Sequence, residues 1–541
     1  MNALQTIPFI ILGLAVVLAL VLPPRRDLCV SIALMPWFGL TPDIGVAIAL
    51  SKYIAALLIF KYFLKRPLNL SQFPGGIILL SIFALGIASA AFSIATLGDA
   101  TEFAGGAMRN GWMRVIVVLV NLVLSVAPII LMAGARTEEL KYLLKTYIVS
   151  VLVLCVIGVV QFAIHLVTGF DILPLGILTG TEETIRSGTL TIGGSSWLRP
   201  GAFAGEPKGL GTAAATATLL LLAFSHEIFA RKMTRLTAIA LTLVTIYLTQ
   251  STSAFIAIFV GVAVYYGLKL VGRPLSKPQV FLLYLLFSVG LLVVMLDRTT
   301  EAFVETFDPD FYTYDGSIFD TIYRRTFSRL DVEDFDWVIL KTMSDDPTSV
   351  VMGRGFGLGH LSTDHNIPRV WRHYMEGRII FPKTGLTYLF VSGGVLGIFL
   401  GAAFLAALTP AIGGDVRRTP QLKVCFVRQV QQAAIPLALL FLLRIYIFDS
   451  ALFITGALSL LLKHIPSEPA FGPMSGRYPS KRPTSGTTLT LDASEVSVKW
   501  NEKSSWRASY WCRFGCLWVM QILSSWVVAS THARASYRGS R

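Results

Sequence analysis

The chain has 541 residues, of which 54% are hydrophobic and only 14% charged, and its mean hydropathy is +0.66. These values exclude a string of soluble domains and indicate a protein embedded in a bilayer. A net charge of +14 would raise the question of nucleic acid in a soluble protein. Here the basic residues lie in loops between apolar runs, so we expect no nucleic-acid partner.

Thirteen apolar runs predict an all-α fold, a polytopic transmembrane helix bundle over residues 1–463 with about 12–13 spanning helices. Only helices and closed barrels satisfy their backbone inside lipid, and these runs have helical length. The predicted helices lie near residues 8–22, 28–40, 43–64, 75–97, 115–135, 146–167, 210–228, 236–250, 254–272, 279–296, 385–408, 428–446 and 449–463.

Positive charge alternates from loop to loop along the chain. Six consecutive loops on one face carry Lys or Arg clusters, from Arg25–Arg26 to Arg417–Arg428, and in the short loops between them only Arg109 and Arg114 weigh against the pattern. By the positive-inside rule the N-terminus lies outside and the C-terminus inside. The first outer loop, 168–209, and a large loop, 297–384, then face away from the cytoplasm.

The tail, 464–541, differs in composition from the rest of the chain. Between Phe471 and Arg541 it holds ten Lys and Arg against three acids, with many Ser and Gly residues. This composition predicts a basic, disordered cytoplasmic tail.

Few ionisable residues fall inside the predicted helices. Lys52 lies about nine residues into its predicted helix, near the bilayer centre, where it either pairs with a neighbouring helix, reaches toward the interface or serves as a binding cation. Arg444 has Asp449 nearby as an ion-pair partner. His165 is interpreted as an interfacial histidine.

The large loop, 297–384, is expected to be helical and carries 15 of the 32 acids. Its second half is different, because residues 347–384 hold five basic residues against two acids, with three histidines. A basic surface interleaved with histidines suits a site that binds phosphates and moves a proton.

Two segments of the predicted outer loops are the main candidates for the anion-binding site. The first, Trp197–Lys208, precedes the seventh helix, where the helix start, Arg199 and Lys208 are placed to hold an anion beside Glu206. The second is the alternating-glycine run Gly353–His360. Because it lies in no βαβ unit, a dinucleotide fold is rejected. Two interpretations remain for this run, a loop bringing backbone N–H groups to a phosphate and a loop that needs positive φ.

These motifs resemble the O-antigen polymerase and ligase superfamily. The resemblance covers roughly residues 70–463 and consists of Arg199-Pro-Gly-x-Phe-x-x-Glu-Pro, the hairpin Gln250-Ser-Thr-Ser, the glycine run with the His365-Asn366 pair, and Gly394-x-x-Gly. It implies a GT-C-like helical fold with a large periplasmic loop in the bacterial inner membrane. It also implies a metal-independent glycosyltransferase without cofactor, whose donor glycan is linked to undecaprenyl pyrophosphate.

The resemblance assigns roles to individual residues. Arg199 and Arg329 match family arginines, with Arg325 as a competing candidate for the second, and His365 matches the family histidine. Ala254 stands where many members have arginine, so one cation is missing from the hairpin. Paired guanidinium groups stabilise a departing pyrophosphate, and a neutral histidine is a suitable base for a sugar hydroxyl. Further substrate-binding candidates are Glu206, Lys208, Arg354, Gly355, Gly357, His360 and Asn366.

The leading hypothesis is therefore a polymerase that joins undecaprenyl-pyrophosphate-linked repeat units into O-antigen or exopolysaccharide. A flippase and a chain-length regulator of the same pathway are the partner proteins expected for it. The alternatives are an O-antigen ligase that moves finished glycan to a lipid A core, and a lipid-linked glycan transporter.

Overall fold

The structure, a computed structural model, describes residues 3–41, 48–63, 73, 75–98, 110–173, 189–192, 195–297, 313–314, 334–359, 382–411, 421–443 and 448–463. All of them belong to one compact unit, Met1–Gly472. The predicted tail, 464–541, lies outside the described residues.

The described chain is mainly helical. Its helices, numbered here in chain order, are α1 (Ala3–Val21), α2 (Leu28–Leu34), α3 (Leu50–Phe63), α4 (Gly76–Leu97), α5 (Gly111–Met132), α6 (Thr137–Thr168), α7 (Pro207–Ile228), α8 (Lys232–Thr249), α9 (Thr252–Val271), α10 (Lys277–Asp297), α11 (Asp334–Ser344), α12 (Pro347–Met352), α13 (Gly385–Leu408), α14 (Gln421–Leu443) and α15 (Phe448–Lys463).

Seven of the described helices are long and apolar enough to cross a membrane, which confirms a helical membrane protein. They are α4, α5, α6, α7, α9, α13 and α14, while apolar segments of α1, α10 and α15 are shorter. The predicted helix over residues 28–40 is wrong in length. Helix α2 ends at Leu34, and at about 1.5 Å per residue it covers only a third of a bilayer core. Pro36 follows, which supplies no N–H to extend the helix.

A small sheet departs from the predicted all-α fold. Strand β1 (Thr189–Ile192) pairs antiparallel with β2 (Ser195–Leu198) and parallel with β3 (Thr313–Tyr314), in the order β2-β1-β3. Strands β1 and β2 belong to the loop 168–209 and β3 to the loop 297–384, so the sheet joins these two loops. β1 alternates Thr with apolar residues, a pattern that suits strands, but four residues give little signal beside long helices.

Helices α7 and α14 form the centre of the bundle. In the apolar stretch of each helix, 78% of the residues are buried inside the protein. Small residues at Ala213, Ala214 and Ala217 are fully buried on α7 and let neighbouring helices approach closely. Thr218 donates to Thr242 of α8 at 2.8 Å, which satisfies a buried hydroxyl. The start of α7, which carries Lys208, is therefore fixed from within the bundle.

Several cations of the predicted inner loops satisfy the carbonyl ends of helices. Lys61 Nζ donates to Ala19 at the end of α1, and Lys277 Nζ donates to Ala406 and Thr409 at the end of α13. Arg428 donates to the carbonyls of Lys269 and Gly272 at the end of α9. Such contacts favour cations at helix C-termini. Arg114, one of the two basic residues that weigh against the charge pattern, lies in α5 and is 1% exposed inside the bundle. It is therefore not a loop cation.

Candidate functional site

Six of the eleven predicted site residues lie in the described part of the chain. They are Arg199, Glu206, Lys208, Arg354, Gly355 and Gly357. The other five, His365, Arg329, Arg325, His360 and Asn366, lie outside the described residues, and their roles stay predictions.

Arg199 is fastened to the turn between α8 and α9. Its Nε donates to the main-chain oxygen of Thr249 at 3.1 Å, and the neighbouring Trp197 Nε1 donates to Leu248 at 3.3 Å. Both acceptors are carbonyls at the end of α8, where a helix leaves oxygens unpaired and carries partial negative charge. The residue is half-buried. The structure thus brings together two segments that the sequence singled out separately, the Arg199 motif and the Gln250-Ser-Thr-Ser hairpin.

The path of the chain after Arg199 is set by packing against α6 and the segment after α2. The N–H of Ala202, which has φ of 46°, donates to Gln161 Oε1 of α6 at 3.0 Å. The ring of Phe203 stacks on Trp37 with centroids 5.4 Å apart. Gln161 is 2% exposed and also donates to Asp171 at 2.7 Å. Sequence reasoning missed Gln161; an isolated amide in the apolar run of α6 was the available signal.

Glu206 and Lys208 flank the first residue of α7. Glu206 is the N-cap residue without a side-chain cap, Pro207 is the first helical residue, and both Glu206 and Lys208 are half-buried. A Cβ added to Gly211 would lie 2.6 Å from Ala254 Cβ and 2.9 Å from Thr249 Oγ1. The start of α7 therefore packs on the same turn that holds Arg199. We call Arg199, Glu206, Lys208 and Gln250 the Arg199 site.

Gln250 adds a polar group to the Arg199 site. It has φ of 46°, is 1% exposed and donates from Nε2 to Tyr247 at 2.8 Å. Its Oε1 is buried and accepts no hydrogen bond from the described residues. Two helices, α7 and α9, begin at this site, so their N-terminal ends add partial positive charge to Arg199 and Lys208. The cations and helix starts suit an oxyanion, whereas the Oε1 of Gln250 and the carboxylate of Glu206 accept hydrogen bonds and suit hydroxyl groups.

The glycine run after α12 is a buried structural turn. Gly353, Gly355 and Gly357 have φ of 73°, 88° and 71°. A Cβ on Gly355 would overlap the backbone of Ala90 in α4, so only glycine allows this approach. Of the two interpretations left open by the sequence, the structure supports the loop that needs positive φ. Gly355 and Gly357 face helices α4 and α5 rather than an open phosphate cradle.

Helix α13 is broken where this turn inserts. Gly393 and Gly394 leave helical geometry, and the freed carbonyl of Val391 accepts the N–H groups of Arg354 at 2.7 Å and Gly355 at 3.0 Å. Non-helical backbone is tolerated among membrane helices where protein groups satisfy it. Phe356 fills the remaining space, with its ring 6.2 Å from Tyr388 and 6.3 Å from Phe83.

Arg354 lies inside this turn and not on a binding surface. It is 1% exposed, and it donates from Nε to Ser349 Oγ and from an Nη to the Thr342 carbonyl, both at 3.3 Å. Burial lowers the pKa of its guanidinium to about 10, against the opposing effect of Asp346. The predicted role of Arg354 in substrate binding is therefore corrected to a structural one in this conformation, because its charge is enclosed by α11, α12 and α13.

Asp336 anchors the other end of the large loop. It is fully buried, and its two oxygens accept from the N–H groups of Lys383 at 2.6 Å and Thr384 at 2.9 Å. Thr384 in turn caps α13. Asp336 was not singled out from the sequence, since it is one of many acids in that half of the loop.

Within the described residues, no three His, Cys, Asp or Glu side chains are grouped to hold a metal ion. No family model, characterised protein or solved structure matches the chain.

Proposed function

We propose that this protein is a glycosyltransferase that polymerises undecaprenyl-pyrophosphate-linked oligosaccharides. The observation that carries the proposal is the Arg199 site, where Arg199 binds the turn before α9 and the start of α7, which carries Lys208, packs on the same turn. A lipid diphosphate is the dianionic headgroup that such a site suits. The resemblance to the O-antigen polymerase and ligase superfamily supports the same substrate.

The proposed reaction is a single displacement at the anomeric carbon of the donor glycan. The acceptor hydroxyl oxygen bonds to this carbon while the bond from the carbon to the phosphate oxygen breaks. Undecaprenyl pyrophosphate leaves with the bonding electrons, and the hydroxyl proton passes to His365. Arg199 stabilises the charge on the departing phosphate, with Arg329 as its proposed second partner.

The proposal places the protein in the bacterial inner membrane with a periplasmic N-terminus, a cytoplasmic C-terminus and the large loop in the periplasm. The alternating basic loops support this orientation. A pathway flippase would then deliver the substrate to the outer face, and a chain-length regulator would act on the product.

Purified full-length protein, given undecaprenyl-pyrophosphate oligosaccharide alone, should form a ladder of longer lipid-linked glycans. A polymerase needs no other acceptor. Transfer that appears only when lipid A core is added would favour a ligase. Failure of both, with the Arg199 site intact and the protein folded, would contradict the proposal.

A second candidate, a lipid-linked glycan transporter, is favoured by the intramembrane ion pair of Lys52 and Asp449. Movement of labelled lipid across proteoliposomes without a new glycosidic bond would support it over the polymerase.

A further inference from the structure

A second polar cluster lies inside the bundle, separate from the Arg199 site. Lys52 Nζ of α3 is 3.6 Å from Asp449 Oδ2 of α15 and donates to Asn121 Oδ1 of α5 at 3.3 Å. The three helices come from distant parts of the chain. The pairing confirms the interpretation of Lys52 as a lysine held by a neighbouring helix, and its partner within the described residues is Asp449. Arg444, the predicted partner of Asp449, lies outside the described residues.

The cluster lies near mid-depth of the membrane. Lys52 and Asn121 each precede the end of their helix by 11 residues, at Phe63 and Met132 (63 − 52 and 132 − 121). At about 1.5 Å per residue this is roughly half of a bilayer core about 30 Å thick. Because α3 begins at Leu50, Lys52 is in its first turn and not nine residues into it.

The ion pair is looser than the other buried pair of the bundle. In the pair of Lys61 and Asp27 the charged atoms are 2.8 Å apart, with Lys61 14% exposed and Asp27 fully buried. The side chains of Lys52 and Asp449 are 19% and 14% exposed, and their charged atoms are too far apart for a direct hydrogen bond. Each ion therefore keeps hydrogen-bonding capacity that the other does not use.

A poorly satisfied hydroxyl lies near Ser450, which follows Asp449 at the start of α15. Tyr147 of α6 is fully buried, and its hydroxyl is close to the Ser450 side chain without a well-aligned hydrogen bond. A buried hydroxyl without a good partner costs free energy unless a water or a ligand satisfies it.

We propose that Lys52, Asn121 and Asp449 bind hydroxyl groups of a neutral sugar. The charges of Lys52 and Asp449 cancel. An anionic ligand would be repelled by the carboxylate of Asp449, and a cationic ligand by the ammonium group of Lys52. A hydroxyl instead donates to Asp449 and accepts from Lys52. The assignment of this hydroxyl ligand as the glycan of the lipid-linked substrate rests on the proposed function.

The test uses the double variant K52M/D449L in full-length protein in detergent. Replacing both partners with apolar residues of similar size avoids leaving one buried charge unpaired. Affinity is measured for undecaprenyl-pyrophosphate oligosaccharide and for sugar-free undecaprenyl pyrophosphate. We expect affinity for the sugar-bearing lipid to fall about tenfold or more, since two charge-assisted hydrogen bonds are lost, with affinity for the sugar-free lipid unchanged. The matched control is E138L/K141M, which removes the exposed pair of Glu138 and Lys141 and should change neither affinity.

Equal affinity of wild type and K52M/D449L for the sugar-bearing lipid would overturn the proposal, as would a parallel loss for the sugar-free lipid. If the double variant does not fold, the reversed pair K52D/D449K replaces it. That variant keeps both groups and should bind the sugar-bearing lipid within about threefold of wild type, whereas a folded variant with tenfold weaker binding would overturn the assignment. The glycan-lengthening assay is separate: wild type that binds sugar through this pair but makes no longer glycan would contradict the polymerase and leave the site standing.

Discussion

Arg199 donates from Nε to the Thr249 carbonyl at 3.1 Å, which fixes its guanidinium at the turn from which α9 begins. Arg428 binds the carbonyls of Lys269 and Gly272 at the other end of the same helix. The two arginines therefore make comparable contacts with main-chain oxygens, and only Arg199 belongs to the proposed active site.

The R199Q variant should lower kcat/KM for glycan lengthening by about 10- to 100-fold, because a charge-assisted contact worth about 1.5–3 kcal/mol is removed. The R199K variant should recover only part of the loss, since lysine lacks the bidentate fork. The control R428Q should stay within about threefold of wild type. Equal losses in R199Q and R428Q, with matching falls in thermal stability, would reduce Arg199 to a structural role.

The G355A variant should destabilise the protein by about 2–4 kcal/mol, because it combines a left-handed backbone with overlap against α4. Gly290 in α10 offers a control, since a Cβ there meets nothing within 4 Å. The G290A variant should be neutral or slightly stabilising, as expected for alanine within a helix. Thermal unfolding in detergent measures both. An unchanged unfolding temperature in G355A would show that the turn does not insert against Ala90.

The R354K variant tests the corrected role of Arg354. Lysine cannot donate to both Ser349 and Thr342 in the geometry of a guanidinium, so we expect a loss of thermal stability. Among the molecules that remain folded, KM for the lipid-linked glycan should be unchanged. A raised KM at unchanged stability would instead restore Arg354 as a substrate ligand.

Asp346 should make the loop sensitive to acid. Its hydrogen bond from Ser349 at 2.5 Å, with the N–H of Thr348 at 3.0 Å, lowers the pKa of the carboxyl below its ordinary value. A carboxyl with a lowered folded-state pKa stabilises the protein above its unfolded pKa of about 3.9, and this contribution is lost as pH falls through the folded value. Thermal stability should therefore decline below about pH 4 in wild type, with a smaller decline in D346N. Identical pH profiles would contradict this role.

The D27A variant should destabilise the protein by about 3 kcal/mol, because Lys61 loses its buried carboxylate and keeps only the carbonyls of Ala19 and Leu22. The exposed pair of Glu138 and Lys141 provides the contrast, and E138A should change stability by less than about 1 kcal/mol. Denaturant or thermal unfolding of both variants measures the difference. Similar small effects would indicate that water reaches Asp27.

The helices could be predicted from the sequence because continuous apolar runs give a strong local signal. The contact between Arg199 and Thr249 could not, since it joins residues in different segments and depends on how α7 and α8 pack. The glycine run was likewise compatible with phosphate binding in the sequence. Its glycines indicate positive φ values locally, but the sequence does not show that the run packs against α4 and α5. Asp336 and Gln161 were missed for a related reason. Each accepts hydrogen bonds from backbone N–H groups, and every residue except proline has such a group, so the sequence does not identify the partners.

The break in α13 makes two separate stretches of the chain interdependent. The carbonyl of Val391 is shared by Arg354 and Gly355, and the backbone of Gly394 lies against that of Val350 and Val351. Exchange of the large loop with that of another protein would therefore succeed only if the first half of α13 were transplanted with it. The glycine turn and the break in α13 satisfy each other's backbone groups, and each would lose its partner without the other.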